Sequence, residues 1–364
     1  MGLLKSIFSK KEEPIRSYED FWNWFRKNEK TFFKVVKERG DIEKVFFDRL
    51  SSRLGELKEG FYFLTGMLDD NTVDLVITAE GAIKHIVFVE ELIQSAPDIP
   101  GWKFTAFKPA SDIRNSNLKM AGHLFNSDTM RFYANEIAEY PDEIDIVITH
   151  DELNDENKQT IINGIYIYLD TYLGELNFAT TIDNLKVIRN HEAQQEWIPI
   201  EKLKDFLIWR QKEFIEKYEG TRHDTENDNY AMLEAKLKNG NMLLAVINTD
   251  LLEWDSKASH PWILNIEIKY GSKNDGGMPN DDTYQLLNEI EDAILSELKD
   301  YEGYLNIGRQ TANSVREIFF ACKDFRKPSK VVYDIKDRYA SQIEIGFTIY
   351  KDKYWQSFNQ FRSS

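Results

Sequence analysis

The alternation of apolar and polar positions changes period several times along the chain, and each change marks an element. From Ser17, with Asp20 three residues on, apolar residues recur at helical spacing: Phe21, Trp22, Trp24, Phe25, Phe32, Phe33, Val35 and Val36. Gly40 closes this helix and Asp41 opens a second, with Ile42, Val45, Phe46, Leu50 and Leu54 on one face. An aromatic stripe at this spacing reads as core before it reads as a ligand box. The period then drops to two. Residues 61–68 and Val73, Leu75 and Ile77 flank the turn Asp69-Asp70-Asn71, and Ile83, His85 and Val87 continue the alternation after Glu80-Gly81. A three-stranded meander is expected, then a short helix over 90–96 stopped by Pro97, and a strand over 102–107.

A second unit begins near residue 143. Ile144, Ile146 and Ile148 alternate with polar residues. Asp155 is placed to cap a helix through Ile162, Ile165, Leu169 and Leu173, and Gly174 stops it. Strands are expected over 176–180 and 185–188, and Pro199 opens a long helix ended by Gly220. Residues 221–229 are polar throughout and form the expected linker. Beyond it, Asn239-Gly240 sits between two apolar runs, the strongest short hairpin signal. From Trp262 the pattern reads strand, helix, hairpin, helix, strand. That βαββαβ order is the ferredoxin-like arrangement, which leaves one sheet face free. The expected fold is therefore α+β: a flexible tail over 1–16, an N-terminal α+β region over 17–220, the linker 221–229, and a ferredoxin-like domain over 230–364. Tyr172, Gly174, Leu176 and Asn177 recur as Tyr301, Gly303, Leu305 and Asn306, and Asn184 and Pro199 recur as Asn313 and Pro328, all at one offset. This suggests an internal repeat of a βαββα unit.

Length and charge narrow the function classes. With 364 residues, 42% of them hydrophobic, the chain can bury more than one core. A formal charge of −16 argues against general nucleic-acid binding, because long-range repulsion opposes a phosphate backbone. No apolar run reaches the roughly 20 residues that span a bilayer. Leu3, Leu4, Ile7 and Phe8 beside Lys5, Lys10 and Lys11 allow a weak membrane contact at most, and Gly2 and Ser6 match a myristoylation pattern too short to decide anything. The single cysteine, Cys322, excludes a disulfide framework and suits a cytoplasmic protein; it reads as core.

Candidate chemistry is sparse. The six histidines are scattered, none at metal-ligand spacing, so no metal site and no cofactor are expected. His150, beside Asp151 and Glu152, is the most ligand-like of them. The loop from Gly271 to Pro279 lacks the Gly-Lys-Ser/Thr ending of a phosphate loop, and its aspartates would repel an anion, so it reads as a connector. Trp254, His260 and Trp262 form an aromatic corner before the central strand, either a pocket or plain packing. Glu267, Arg309, Thr311, Arg316 and Glu317 gather around one hairpin, either as a polar network or as a recognition site. The arginines are expected on the face opposite the helices, where they would keep their hydration. These eight residues are the binding candidates.

The strand at Trp262, the loop Gly277-Met278-Pro279, the helix from Leu286 to Asp292, and Thr311 followed by Arg316-Glu317 resemble the bacterial domain-of-unknown-function-695 family over roughly the last third of the chain. Relatives are sometimes joined to domains similar to a protein regulator of ribonuclease E. The resemblance implies a bacterial, intracellular setting and regulation by binding, and it carries no catalytic role. The leading expectation is a non-enzymatic binding protein for another protein or a small ligand. The alternative is a hydrolase with a carboxylate and histidine site assembled by the fold.

Overall fold

The computed structural model describes residues 13–112, 118–271 and 276–362. The N-terminal tail over 1–12, with Gly2 and Ser6, and Asp275 of the glycine-rich loop lie outside the described residues. The described chain divides into two compact units, Met1–Lys108 and Pro109–Ser364.

In the first unit Ser17 caps helix α1 (Tyr18–Glu38), its side chain accepting from the Asp20 amide at 3.1 Å. The aromatic stripe is core, as its spacing indicates: Phe21, Trp22, Trp24, Phe25 and Phe32 are buried. A π-helical turn over Glu43–Phe47 leads into α2 (Asp48–Leu57). Phe32 meets Phe46 with ring centroids 4.6 Å apart, and Phe25 meets Trp102 edge-on at 4.9 Å. Strands β1 (Tyr62–Asp69) and β2 (Thr72–Thr78) form the expected hairpin. The third strand of the meander is not formed. Ile83, His85 and Val87 belong to helix α3 (Ile83–Gln94), which crosses over so that β3 (Trp102–Ala106) pairs parallel to β2. His85, Ile86, Val87, Phe88 and Val89 are all buried. A helix apolar on consecutive positions shows no 3.6-residue period, so alternation alone misassigns it.

The second unit opens with β4 (Leu118–Met120) and β5 (His123–Phe125), then β6 (Met130–Asn135) and β7 (Asp145–His150). Helices α4 (Lys158–Leu173) and α5 (Glu175–Thr181), strands β8 (Asn184–Val187) and β9 (Ile198–Pro199), and α6 (Leu203–Lys217) follow. The strands order as β8-β7-β6-β9. Phe132, Ile146 and Ile148 pack against Ile161, Ile165 and Leu169 of α4 and Leu203 and Leu207 of α6. Asn157, not Asp155, precedes α4. Residues 176–180 are helical rather than a strand. Thr180 Oγ1 donates to the Leu176 carbonyl at 2.7 Å and Asn177 Nδ2 to that of Leu173 at 3.2 Å, so side chains bond carbonyls of this short helix and of the end of α4.

The C-terminal part holds β10 (Tyr230–Lys236), β11 (Met242–Asn248), α7 (Thr249–Glu253), β12 (Trp262–Lys269), α8 (Asp281–Glu297), β13 (Tyr304–Ala312), β14 (Val315–Cys322), α9 (Arg326–Tyr339) and β15 (Glu344–Lys351). Six antiparallel strands order as β10-β11-β13-β14-β12-β15. The hairpin at Asn239-Gly240 forms as expected. Gly308 sits at a bulge in β13 with φ 138°, where a Cβ would stand 2.2 Å from the Val246 carbonyl oxygen, so only glycine lets β11 approach.

The repeat register is not matched by the elements. It sets Leu176 and Asn177 of α5 on Leu305 and Asn306 of β13, a helix on a strand. Nor is the face away from the helices fully open. A C-terminal 3-10 turn, Gln356–Phe361, brings Phe358, together with Trp355, onto Ile263, Phe319 and Ala321.

Candidate functional site

The aromatic corner resolves into packing. His260 has no exposed surface; its Nδ1 lies 2.8 Å from Ser259 Oγ and its carbonyl accepts from Trp355 Nε1 at 3.0 Å. Trp254 is wedged between His223, His260 and Trp355, with centroids 5.1, 5.4 and 6.1 Å away. Burial, and then the charges of Lys323, Arg222 and His223, push the His260 imidazole down to about 3, so the ring stays neutral. Trp262 points away from this corner and meets Phe325 edge-on at 4.8 Å.

The hairpin residues divide between the two sheet faces. The cross-strand pair Thr311 and Arg316 lies on the helix side, with Arg309 two residues before Thr311. The arginines are therefore under α8, not opposite it. Glu291 of α8 accepts from Arg309 at 2.7 Å and from Arg316 at 3.4 Å; Asn288 accepts from Arg316 at 2.8 Å, and the guanidinium lies over Tyr284. Arg316 is 2% exposed. Burial draws its pKa down while Glu291 opposes. A buried guanidinium is tolerable here because α8 supplies its acceptors, which the strand pattern alone cannot reveal. Glu267 and Glu317 face each other across β12 and β14 on the opposite side, where Glu317 accepts from Asn265 at 3.1 Å and from Gln310.

The loop before α8 is fastened to the same hairpin. Gly277 has φ 70°, and a Cβ there would lie 3.0 Å from Asn313 Cα. Its carbonyl accepts from the Ser314 amide at 2.9 Å and the Tyr270 hydroxyl at 3.0 Å.

His150 and Cys322 are tied into the fold by bonding and burial. His150 Nε2 lies 2.9 Å from the Leu124 carbonyl oxygen, and Nδ1 accepts the Glu152 amide at 3.1 Å. Cys322 is buried, which pushes its thiol well up. No group of three or more His, Cys, Asp and Glu residues arranged to hold a metal occurs among the described residues. No helix among them is long and apolar enough to cross a membrane.

A different cluster, absent from the eight candidates, joins the four-stranded and six-stranded sheets of the second unit. Asp183, just before β8, forms ion pairs with Lys351 and Lys353 at 2.8 Å each and accepts from the Ile144 amide at 2.7 Å. Lys351 also donates to the carbonyls of Thr180 at 2.8 Å and Thr181 at 3.0 Å, and Lys353 to that of Asp142 at 2.6 Å. Asp142 in turn meets Lys217 at 2.8 Å and the hydroxyls of Tyr218 at 2.8 Å and Tyr354 at 2.7 Å. Burial pulls the Asp142 carboxyl up, but Lys217, Tyr354 and Tyr218 together hold it below its ordinary value. Burial pushes Lys351 down to about 8 against the pull of Asp183. The sequence held one signal for this cluster. Ile345, Phe347 and Ile349 set an inward parity that Lys351 continues, and a lysine in an apolar register needs a partner.

Beside this latch opens a cleft of about 460 Å³. Leu176, Asn177, Thr180, Gln211, Phe214 and Ile215 line one wall, and Trp262, Lys323, Asp324, Phe325, Arg326, Lys351 and Lys353 the other. Arg326 is paired with Asp324 at 2.8 Å. A second hollow of about 390 Å³, at Pro141, Asp142 and Arg210, has its cations already engaged: Arg210 with Glu213 at 3.4 Å and Lys217 with Asp142. The first cleft is the better place for a ligand, because lining groups there still have capacity to bond.

No match is found among curated proteins or among solved structures. A family model does match, and it covers the half of the cleft wall that carries the lysines as well as the arginine cluster beneath α8. Residues 229–362, the C-terminal part of the chain, match the model of DUF695, a family of unknown function.

Proposed function

We propose that this protein is a bacterial, cytoplasmic binding protein and that its ligand is a small molecule seated in the cleft between α5 and α6 and the lysine-bearing edge of the C-terminal sheet. The observation that carries this reading is the cleft itself: a hollow of about 460 Å³, within the size range of ligand sites, whose lining mixes apolar residues with polar and charged ones. The hydrolase alternative needs a histidine facing two carboxylates. His150 and His260 instead bond a backbone carbonyl and a serine, which favours binding over hydrolysis.

The order β13-β14-β12-β15 under two helices supports reading the C-terminal domain as a ferredoxin-like core extended by β10 and β11. The family match beginning at 229 supports a domain boundary within 221–229. That stretch is itself tied down, Thr225 donating to Asp300 at 2.8 Å.

The test is retention of small molecules from bacterial extract by the full chain, read by mass spectrometry. Gln211 is exposed on the cleft wall, and Gln211→Trp should fill the space without changing Tm. A bound molecule retained by wild type and lost in Gln211→Trp is expected. Retention that ignores the substitution, or none by either protein, overturns the reading.

A further inference from the structure

We infer that the cleft is an oxyanion site, taking a small molecule that carries a carboxylate or phosphate group on an apolar body. This rests on the cleft being the ligand site. Two of its donors have no hydrogen-bond partner among the described residues: the Lys323 ammonium and the indole N–H of Trp262. Trp262 stands at the start of β12, and Lys323 follows its cross-strand neighbour Cys322 directly, in the bend after β14. Around them the charge is uneven. Lys351 and Lys353 pair with the carboxylate of Asp183 and feel that of Glu143, and Arg326 is matched by Asp324. Lys323 has no carboxylate against it, and the charge of Arg222 adds to its own. Lys323, Lys351, Lys353, Arg326 and Arg222 set against Asp183, Glu143 and Asp324 leave a local balance of about two positive charges, on a chain whose formal charge is −16.

A spare ammonium in a half-buried cleft is costly unless something answers it. Burial and then Arg222 draw the Lys323 pKa down, the strain an incoming anion would relieve. A carboxylate or phosphate has the acceptors that an ammonium and an indole N–H require, and neither donor can serve a cation. Phe214, Ile215 and Leu176 on the facing wall would take the apolar body.

The experiment titrates ¹⁵N-labelled full-length protein with benzoate, phenyl phosphate, benzyl alcohol and a hexaglutamate peptide, following the Trp262 indole resonance, assigned with Trp262→Phe. Saturable shifts with benzoate, phenyl phosphate or both are expected, with benzyl alcohol at least tenfold weaker; which anion binds better tells a carboxylate source from a phosphate one. Lys323→Met should weaken that anion tenfold or more at unchanged Tm, and Lys323→Arg should stay within threefold of wild type. Equal binding of benzyl alcohol overturns the anion assignment and leaves the cleft as a ligand site. Saturation by hexaglutamate alone overturns the small-molecule class. No response to any probe overturns the assignment too, and the retention experiment with Gln211→Trp then decides separately whether the cleft binds anything.

Discussion

Two clusters in the second unit have the same stoichiometry, one carboxylate to two cations, and different behaviour. Beneath α8, Glu291 answers Arg309 and Arg316; beside β15, Asp183 answers Lys351 and Lys353. The arginine cluster lies between one helix and one sheet, and Asn288, Tyr284 and Thr311 surround the Arg316 guanidinium. A guanidinium keeps its proton even when burial works against it, so this cluster is a fixed clamp. The lysine cluster spans two sheets and borders a cleft. An ammonium gives up its proton more readily, and Lys351 is drawn down to about 8. Equal counting of charges therefore conceals a clamp in one place and a titratable latch in the other.

The largest expected effect is at the latch. Asp183→Asn leaves two buried ammoniums without their carboxylate and should cost about 3–5 kcal/mol in urea unfolding. Lys351→Met leaves Asp183 with Lys353 but removes a donor from the Thr180 and Thr181 carbonyls, and should cost about 1–3 kcal/mol. Equal costs for the two variants would break the picture of one carboxylate carrying the latch.

The clamp should respond somewhat less, because Arg309 retains part of its hydration. Glu291→Gln keeps an acceptor for one arginine and should cost about 2–3 kcal/mol. Arg316→Ala should destabilise by a similar amount, because it empties a buried site and strands Asn288; an exposed pair would give only about 0–1 kcal/mol. A Tm for Arg316→Ala equal to wild type would mean the guanidinium is not under α8.

The smallest effect sharpens the border of the latch, where Lys323 and Arg222 act on His260 after burial. The folded chain keeps this ring neutral down to about 3, whereas an ordinary histidine protonates near 6.5. The unfolded chain then binds more protons between those values, and stability falls as pH drops through them. Between pH 6.5 and pH 5 the loss should be about 2 kcal/mol. His260→Phe should flatten that part of the stability profile; a variant profile parallel to wild type would refute the assignment.

Much of the fold was legible in the sequence because the signals were local. Ser17 and the stripe after it, the Asn239-Gly240 hairpin and the alternation through Ile345, Phe347 and Ile349 each depend on residues a few positions apart. The misread elements lacked a clear local period. α3 is apolar on consecutive positions, and α5 is a seven-residue helix after Gly174. The offset between residues 172–199 and 301–328 sets helix α5 on strand β13, so the repeat it suggests is not shown by the elements.

The site shows the same division. Thr311, Arg316 and Glu317 were read as one polar group, and the strands separate them by parity: Glu317 faces away while Arg316 goes under α8. The sequence by itself determined the α+β class, the aromatic core of the first unit, the element order of the C-terminal part and its match to DUF695. Those follow from hydrophobic period, capping and turn chemistry, all short-range. Only the tertiary structure decided which carboxylate meets which cation. Asp183 and Lys351 are far apart along the chain, and their pairing depends on two sheets packing so that both are withdrawn from water at one place, which no local pattern encodes.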